Sequence, residues 1–331
     1  MGKCGVVMVM CIAATMAQGG GLKGEYGFIS SAALGPQPEE AIRARVRIMA
    51  TTYGIREFMF YDWFADYATP VRGEQWTDAY FRKHPIRLAT IRTTLDEIHK
   101  QGGRAWAYVQ AVGTEEGDPA TEAEGVQKVI GTDGRWYWHP PNGQPRFPTY
   151  LPNAAWADIM VKRWASAVKE LGFDGIHWDT LGAISGDHDL ETRSLHAFIR
   201  TAHELLKAYG LPQTINLVDM NWWNPDIILT HTEFPYVEAW SIPTQERYQA
   251  AMLSPALKGV RGVLAMYPTT AAPEGQTAEQ IITARHASAQ AHNLVYVILG
   301  DGDRRMVNEY WPNTVPLEAE LRTVLSLKGR P

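Results

Sequence analysis

Short β-rich runs and longer helical runs alternate along nearly the whole chain, and that order limits the topology more than any other property. The β-rich runs fall at 26–31, 57–64, 104–112, 173–180, 213–218, 236–242, 262–267 and 294–299, each bounded by Gly, Pro or polar turn residues. Helical periodicity occupies 39–52, 86–100, 155–171, 188–209, 245–257 and 277–291, and a last helix is expected over 317–327. In the third helix Trp156, Met160, Trp164 and Val168 recur every four residues, with Asn153 before them as a candidate cap. Strands alternating with helices specify a parallel sheet. Eight of them specify an α/β fold closed into a single (β/α)8 barrel. An open dinucleotide-binding sheet is disfavoured, because Ser30-Ser31-Ala32-Ala33 after the first strand lacks the glycines of a phosphate loop. The one long connection, about Gly113 to Pro152, is rich in Gly, Pro and aromatics, as lids and binding walls are.

The extreme N-terminus lies outside that rhythm. Lys3 precedes an uncharged apolar stretch from Gly5 to Ala14, and Thr15-Met16-Ala17 offers the small residues that a signal peptidase reads. Residues 1–17 are therefore expected to be a signal peptide cleaved after Ala17, leaving 18–331 as a secreted or periplasmic barrel domain. A lipid anchor at Cys11 is the weaker reading, since bulky Met10 precedes it. Both cysteines, Cys4 and Cys11, leave with the peptide, so the mature chain has no thiol for a disulfide, a metal or nucleophilic attack. No later stretch reaches the roughly 18 uninterrupted apolar residues of a membrane span. A hydrophobic share of 45% excludes disorder, and a net charge of −5 without a basic run excludes a nucleic-acid partner. The ten histidines are scattered and no His-Glu-x-x-His pair occurs, so neither metal nor cofactor is expected.

In a barrel, chemistry belongs at the C-terminal ends of the strands. Two acids fall there: Asp179, closing Gly175-Ile176-His177-Trp178-Asp179, and Glu238, within Tyr236-Val237-Glu238-Ala239-Trp240. They sit on the fourth and sixth strands, two apart around the ring, so their tips can face each other. Glycoside cleavage requires such a pair, one carboxylate ionised and one protonated to give a proton to the leaving oxygen. The competing reading is that each acid only accepts hydrogen bonds from a neighbouring loop. Asp174 stands at the start of its strand and reads as structural, while Asp187, Asp189 and Glu233 read as solvated loop acids.

The chain has 12 Trp and 14 Tyr, and many fall near predicted strand ends. Tyr61, Trp63, Trp136, Trp138, Trp178, Trp222, Trp223, Trp240, Tyr310 and Trp311 form that group. Flat amphipathic rings beside acids suit the apolar faces and polar edges of a sugar. Trp106 and Trp164, on a strand and on a helix face, are assigned to the core instead. His177 and Asn216, on the fourth and fifth strands, join the candidate sugar contacts.

Phe60-Tyr61-Asp62-Trp63, with Pro70 seven positions after the tryptophan, resembles the second-strand signature of glycoside hydrolase family 66, the dextranases and cycloisomaltooligosaccharide glucanotransferases. Phe173-Asp174-Gly175 running into Asp179-Thr180-Leu181-Gly182 resembles that family's nucleophile strand, and Tyr236 to Trp240 its acid/base block. Leu299-Gly300-Asp301 and Met306-Val307-Asn308-Glu309-Tyr310-Trp311-Pro312-Asn313 are similar to its late substrate-binding block. The four blocks run in the family's order from about Tyr26 to Asn313. The resemblance implies a retaining endo-hydrolase of α-1,6-glucan, with Asp179 as nucleophile and Glu238 as general acid/base. It also implies that Tyr61, Asp62, Asn308 and Glu309 hold the sugar in the cleaved subsite, with Trp63, Trp240 and Tyr310 beside them. The sequence departs from the family where Phe64 to Ala68 replace a basic, His-rich stretch, and where His177 stands in place of Gln. The turn from Pro268 to Thr277 is too short for the inserted binding domain of the cyclising members, which favours hydrolysis over cyclisation. Two other readings stay open: a non-catalytic carbohydrate-binding barrel, and a barrel glycosidase with another substrate, resembling the polygalactosaminidases through the Phe-Asp-Gly strand.

Overall fold

A computed structural model describes residues 21–30, 35, 37–61, 63–79, 84–129, 148–179, 186–265 and 275–297 of the chain. Within them, strands β1 (Glu25–Ser30), β2 (Ile55–Tyr61), β3 (Arg104–Gln110), β4 (Gly175–Asp179) and β5 (Gln213–Ile215) pair in that order, all parallel. Strands β6 (Tyr236–Glu238), β7 (Gly262–Ala265) and β8 (Leu294–Tyr296) form a second parallel run. A parallel bridge between Asn216 and Tyr236 joins the two runs. At the other seam β8 lies beside β1, and the Arg261 guanidinium donates to the Gly24 carbonyl at 3.3 Å. The eight expected strands are thus all present, β1 as long as its β-rich run and the other seven somewhat shorter.

Each strand from β1 to β7 is followed by its helix: α1 (Glu39–Thr51), α2 (Leu88–Lys100), α3 (Ala154–Leu171), α4 (His188–Lys207), α5 (Pro225–His231), α6 (Ile242–Met252) and α7 (Ala278–Ala291). Helix α5 lacks an expected counterpart because about two turns are too short to show periodicity. The expected helix over 317–327 lies outside the described residues. Helix α3 begins where Asn153 accepts the Trp156 N–H at 2.9 Å, and it ends at Gly172 with φ 93°, a left-handed turn that glycine adopts without strain. Its apolar stripe of Trp156, Met160, Trp164 and Val168 is fully buried. A short antiparallel hairpin, Gln75–Thr77 with Pro85–Arg87, is added after β2. In the long third connection, bridges tie Gly113 to Thr149 and Lys128 to Tyr150, and Tyr150 stacks on Trp156.

Alternate strand residues point into the barrel and fill it in layers. At the N-terminal end the Arg104 guanidinium donates to Glu57 at 2.8 Å and to Glu233 at 2.7 Å. Trp106 Nε1 and the Lys23 amide also donate to Glu57, at 2.8 and 2.9 Å. Glu233 is therefore a nearly buried ion-pair partner and not a solvated loop acid. Above it pack Tyr26, Trp106 and Phe234. Gly175 explains itself here: a Cβ would overlap the Trp106 ring and lie 2.7 Å from the Pro212 carbonyl oxygen. Asp174 is structural, as expected, accepting the Ala105 N–H at 2.7 Å and pairing with His99 at 2.9 Å. Asp187 is the cap of α4, accepting the Leu190 N–H at 3.0 Å.

Candidate active site

The last inward layer lies at the strands' C-terminal ends, and it holds both acids. Strand alternation puts Gly175, His177 and Asp179 on the barrel side of β4, and Ile176 and Trp178 on the helix side. Tyr108 comes from β3, Asn216 follows β5 and Glu238 ends β6. Tyr108 Oη donates to Asp179 Oδ2 at 2.6 Å. Asn216 Nδ2 donates to Asp179 Oδ1 at 2.5 Å and to Glu238 Oε2 at 2.9 Å. The backbone N–H of Glu238 donates to Asn216 Oδ1 at 3.1 Å, and since that group can only donate, it fixes which end of the amide carries the nitrogen. Because one nitrogen reaches both acids, their nearest oxygens are at most 5.4 Å apart, the sum of its two hydrogen-bond distances.

The groups around the pair hold steady charge. Burial, then the Asp179 charge, pushes the Tyr108 hydroxyl well above its ordinary range, so it remains a donor. Tyr236 is raised likewise, by burial first, then by Tyr26 and Glu238. His177 lies one layer below Asp179, fully buried, its Nδ1 sharing a hydrogen bond with Thr214 Oγ1 at 2.8 Å. Its ring stacks on Tyr108 and meets Tyr236 edge-on, so in this structure it supports the layer beneath the acids and does not face a sugar. Burial lowers its pKa to about 4, against the opposing pull of Asp179. The unfolded chain binds the proton from about pH 6.5 downward and the folded chain does not until about pH 4. Folding stability is thus full above pH 6.5 and falls as the pH drops to about 4. We expect a loss of about 3 kcal/mol across that window, absent in His177→Gln, by urea unfolding at pH 7 and 4.5.

The other sequence candidates divide. Tyr61 ends β2 in the same layer, nine-tenths buried, with its ring 4.1 Å from that of Tyr108. Trp240 is half-buried just beyond Glu238, its N–H held by Asp219 Oδ1 at 3.0 Å. Trp63 is fully buried, donates Nε1 to the Tyr108 carbonyl at 2.9 Å and packs on Trp164 and Phe173. It therefore stiffens the wall behind β3 and does not offer a sugar platform. Trp178 likewise turns outward, bonding Gln213 at 2.8 Å and packing against Phe198. Trp222 is also buried, whereas Trp223 is half-buried against Tyr248. Asp62, Trp136, Trp138, Asn308, Glu309, Tyr310 and Trp311 lie outside the described residues.

Two residues at this end of the barrel escaped sequence reasoning. Tyr108 was not singled out within its strand, yet its even spacing from Arg104 and Trp106 puts all three inside the barrel. Gln110, in register with Asp179 and fully buried, has no hydrogen-bond partner for either end of its amide among the described residues. The loop after β5 is strained: Asp219, Met220 and Trp222 all hold positive φ, of 54°, 57° and 58°. Non-glycine residues hold such angles where packing over-determines them, often at functional sites.

The fold is a (β/α)8 barrel, and it gathers two carboxyl groups within reach of one amide at its C-terminal mouth, the arrangement that barrel glycoside hydrolases use. The family model for Glycosyl hydrolase family 66 matches residues 24–326. The chain belongs to that family. Two cycloisomaltooligosaccharide glucanotransferases of Niallia circulans are 26% and 24% identical to it over 249 and 247 residues. Those alignments cover 66% and 65% of this chain but 25% and 24% of the relatives, so the chain spans about a quarter of the curated proteins it matches. A cycloisomaltooligosaccharide glucanotransferase of Paenibacillus sp., crystallised with cycloisomaltoheptaose, aligns with a TM-score of 0.59 at 21% identity, covering 73% of this chain and 38% of that one. The α-amylase of Geobacillus thermoleovorans complexed with acarbose aligns at 0.55 and 12%, covering 92% and 78%. At those identities the structural likeness is one of fold.

Proposed function

We propose that this chain is a retaining endo-hydrolase of α-1,6-glucan. Asp179, ionised, attacks the anomeric carbon while protonated Glu238 gives its proton to the departing glycosidic oxygen. Glu238, now a carboxylate, then takes a proton from the water that releases the sugar from Asp179. The observation that carries this reading is the ceiling of 5.4 Å between the nearest carboxyl oxygens. Retaining pairs stand about 5–5.5 Å apart, and inverting pairs about 6.5–9.5 Å, because the latter must admit a water between acid and sugar. The substrate class is supported by the family and by relatives named for isomaltooligosaccharides. Hydrolysis is preferred to cyclisation because the sequence from Pro268 to Thr277 is too short to contain the inserted binding domain of cyclising members. Export after cleavage at Ala17 belongs to the same reading.

The test is product analysis with dextran beside a panel of other α- and β-glucans and polygalactosamine, by mass spectrometry, reducing-end release and early NMR of the new anomeric centre. Linear isomaltooligosaccharides born as α anomers are expected. Cyclic products would make the chain a transferase, and first-formed β anomers would end the retaining reading. Cleavage confined to another polymer would move the substrate. Sugar binding with no product from any of them would leave a binding barrel.

A further inference from the structure

One side chain touches both acids and is itself pinned on every side. Asn216 is 2% exposed. Its backbone N–H donates to the Trp178 carbonyl at 2.9 Å on the β4 side, and a parallel bridge holds it to Tyr236 on the β6 side. Its Oδ1 accepts the Glu238 N–H, and its two Nδ2 hydrogens serve Asp179 Oδ1 and Glu238 Oε2. The amide cannot flip without turning a nitrogen toward an N–H and an oxygen toward two carboxyl groups.

Resting on the retaining reading above, we infer that Asn216 is a positioning residue that spaces the two carboxyl groups and serves the single negative charge at whichever of them carries it. In the resting pair the charge is on Asp179 and the proton on Glu238. A lone pair of Asp179 forms the bond to the anomeric carbon. The glycosidic bond breaks with its electrons going to the leaving oxygen, which takes the Glu238 proton. Asp179 is then a neutral ester and Glu238 the anion, so one charge has moved between two groups that share one amide. Water attack reverses the transfer. While Glu238 is protonated, the Asn216 bond to Oε2 favours that oxygen as the carbonyl end and Oε1 as the bearer of the proton.

Three buried tyrosines and the buried histidine beneath the pair carry no charge near neutral pH. Around the pair stand Tyr26 on β1, Tyr61 on β2, Tyr108 on β3, His177 on β4 and Tyr236 on β6, while Asp219 on the loop after β5 accepts the Trp240 N–H. Tyr26, Tyr108 and Tyr236 are raised by burial and stay neutral, and His177 is neutral above about pH 4. Arg104 lies lower in the barrel and is matched by Glu57 and Glu233.

The variants are Asn216→Ala, which removes the donor, and Asn216→Asp, which keeps the shape and an acceptor for the Glu238 N–H. Losing an N–H that favours the charged form makes each acid hold its proton to higher pH. Both limbs of the kcat profile on dextran should therefore move upward, with kcat about 100-fold lower and KM changed less than about threefold. A raised KM with unmoved limbs would make Asn216 a sugar contact and overturn the inference. A lower Tm with unchanged kcat per folded molecule would make it merely structural and overturn it equally. The second readout uses no sugar: carbon-13 NMR titration of the Asp179 and Glu238 carboxyl signals, assigned with Asp179→Asn and Glu238→Gln. Upward movement of both in Asn216→Ala sustains the inference, and unmoved titrations end it. Should the wild-type chain cleave no glucan, the functional reading fails and this titration alone decides the role of Asn216.

Discussion

Asp179→Ala should lower turnover of dextran by about 10⁴-fold or more and leave the unfolding midpoint within a few degrees of wild type. The first half follows from chemistry: without the carboxylate no covalent intermediate forms, and the remaining layer can only bind and polarise. The second half follows from place. Asp179 is at the mouth, partly exposed, and its removal vacates hydrogen bonds from Tyr108 and Asn216 without opening the aromatic layers beneath. Glu238→Ala should fail differently. Its first step survives with an activated leaving group that requires no proton, and the glycosyl-enzyme then persists. Azide separates the two roles: it should replace Asp179 in one variant and give a β-glycosyl azide, and attack the ester in the other and give an α-glycosyl azide. The same configuration from both variants would contradict the assignment.

The second large effect concerns the opposite end of the barrel. Glu57 is fully buried and accepts from Arg104, Trp106 Nε1 and the Lys23 amide. Glu57→Ala strands a guanidinium whose only other acid partner among the described residues is Glu233, and it leaves an indole N–H without its acceptor. Breaking one side of a buried ion pair costs about 3–5 kcal/mol. We expect a loss of that size in urea unfolding, and a smaller one for Glu57→Gln, whose oxygen still accepts from Trp106. A loss below about 1 kcal/mol in Glu57→Ala would show that the network is not a stability element. Activity per folded molecule should be unchanged, since the network lies toward the N-terminal end of the barrel and none of its side chains bonds either acid.

The contrast between these two ends shows what was legible in advance. The alternation of strands and helices is written in local periodicity, and the cap at Asn153 is a contact between residues three apart; both survive because they depend on near neighbours in sequence. Asp179 and Glu238 were found because a barrel concentrates chemistry at strand ends, a rule of topology that needs no coordinates. The aromatic candidates fared less evenly. Trp63 and Trp178 sit near strand ends as the sugar platforms were expected to, but the parity of each strand turns Trp178 outward, and Trp63 lies against Trp164 and Phe173. Proximity in sequence to a strand tip does not specify which side a ring faces.

Glu233 makes the same point with charge: a loop acid by sequence, it reaches Arg104, 129 positions away, and becomes a nearly buried partner. Sequence alone determined the barrel, the direction of its strands and the two acids at its mouth, because each depends on pattern within an element and on a fixed rule of topology. The spacing of those acids, the amide that spans them and the tyrosine that holds one of them were decided only in three dimensions. Asp179 and Glu238 are 59 positions apart, and what brings Asn216 to within 2.9 Å of both is the closing of β4, β5 and β6 side by side, a register that no local segment encodes.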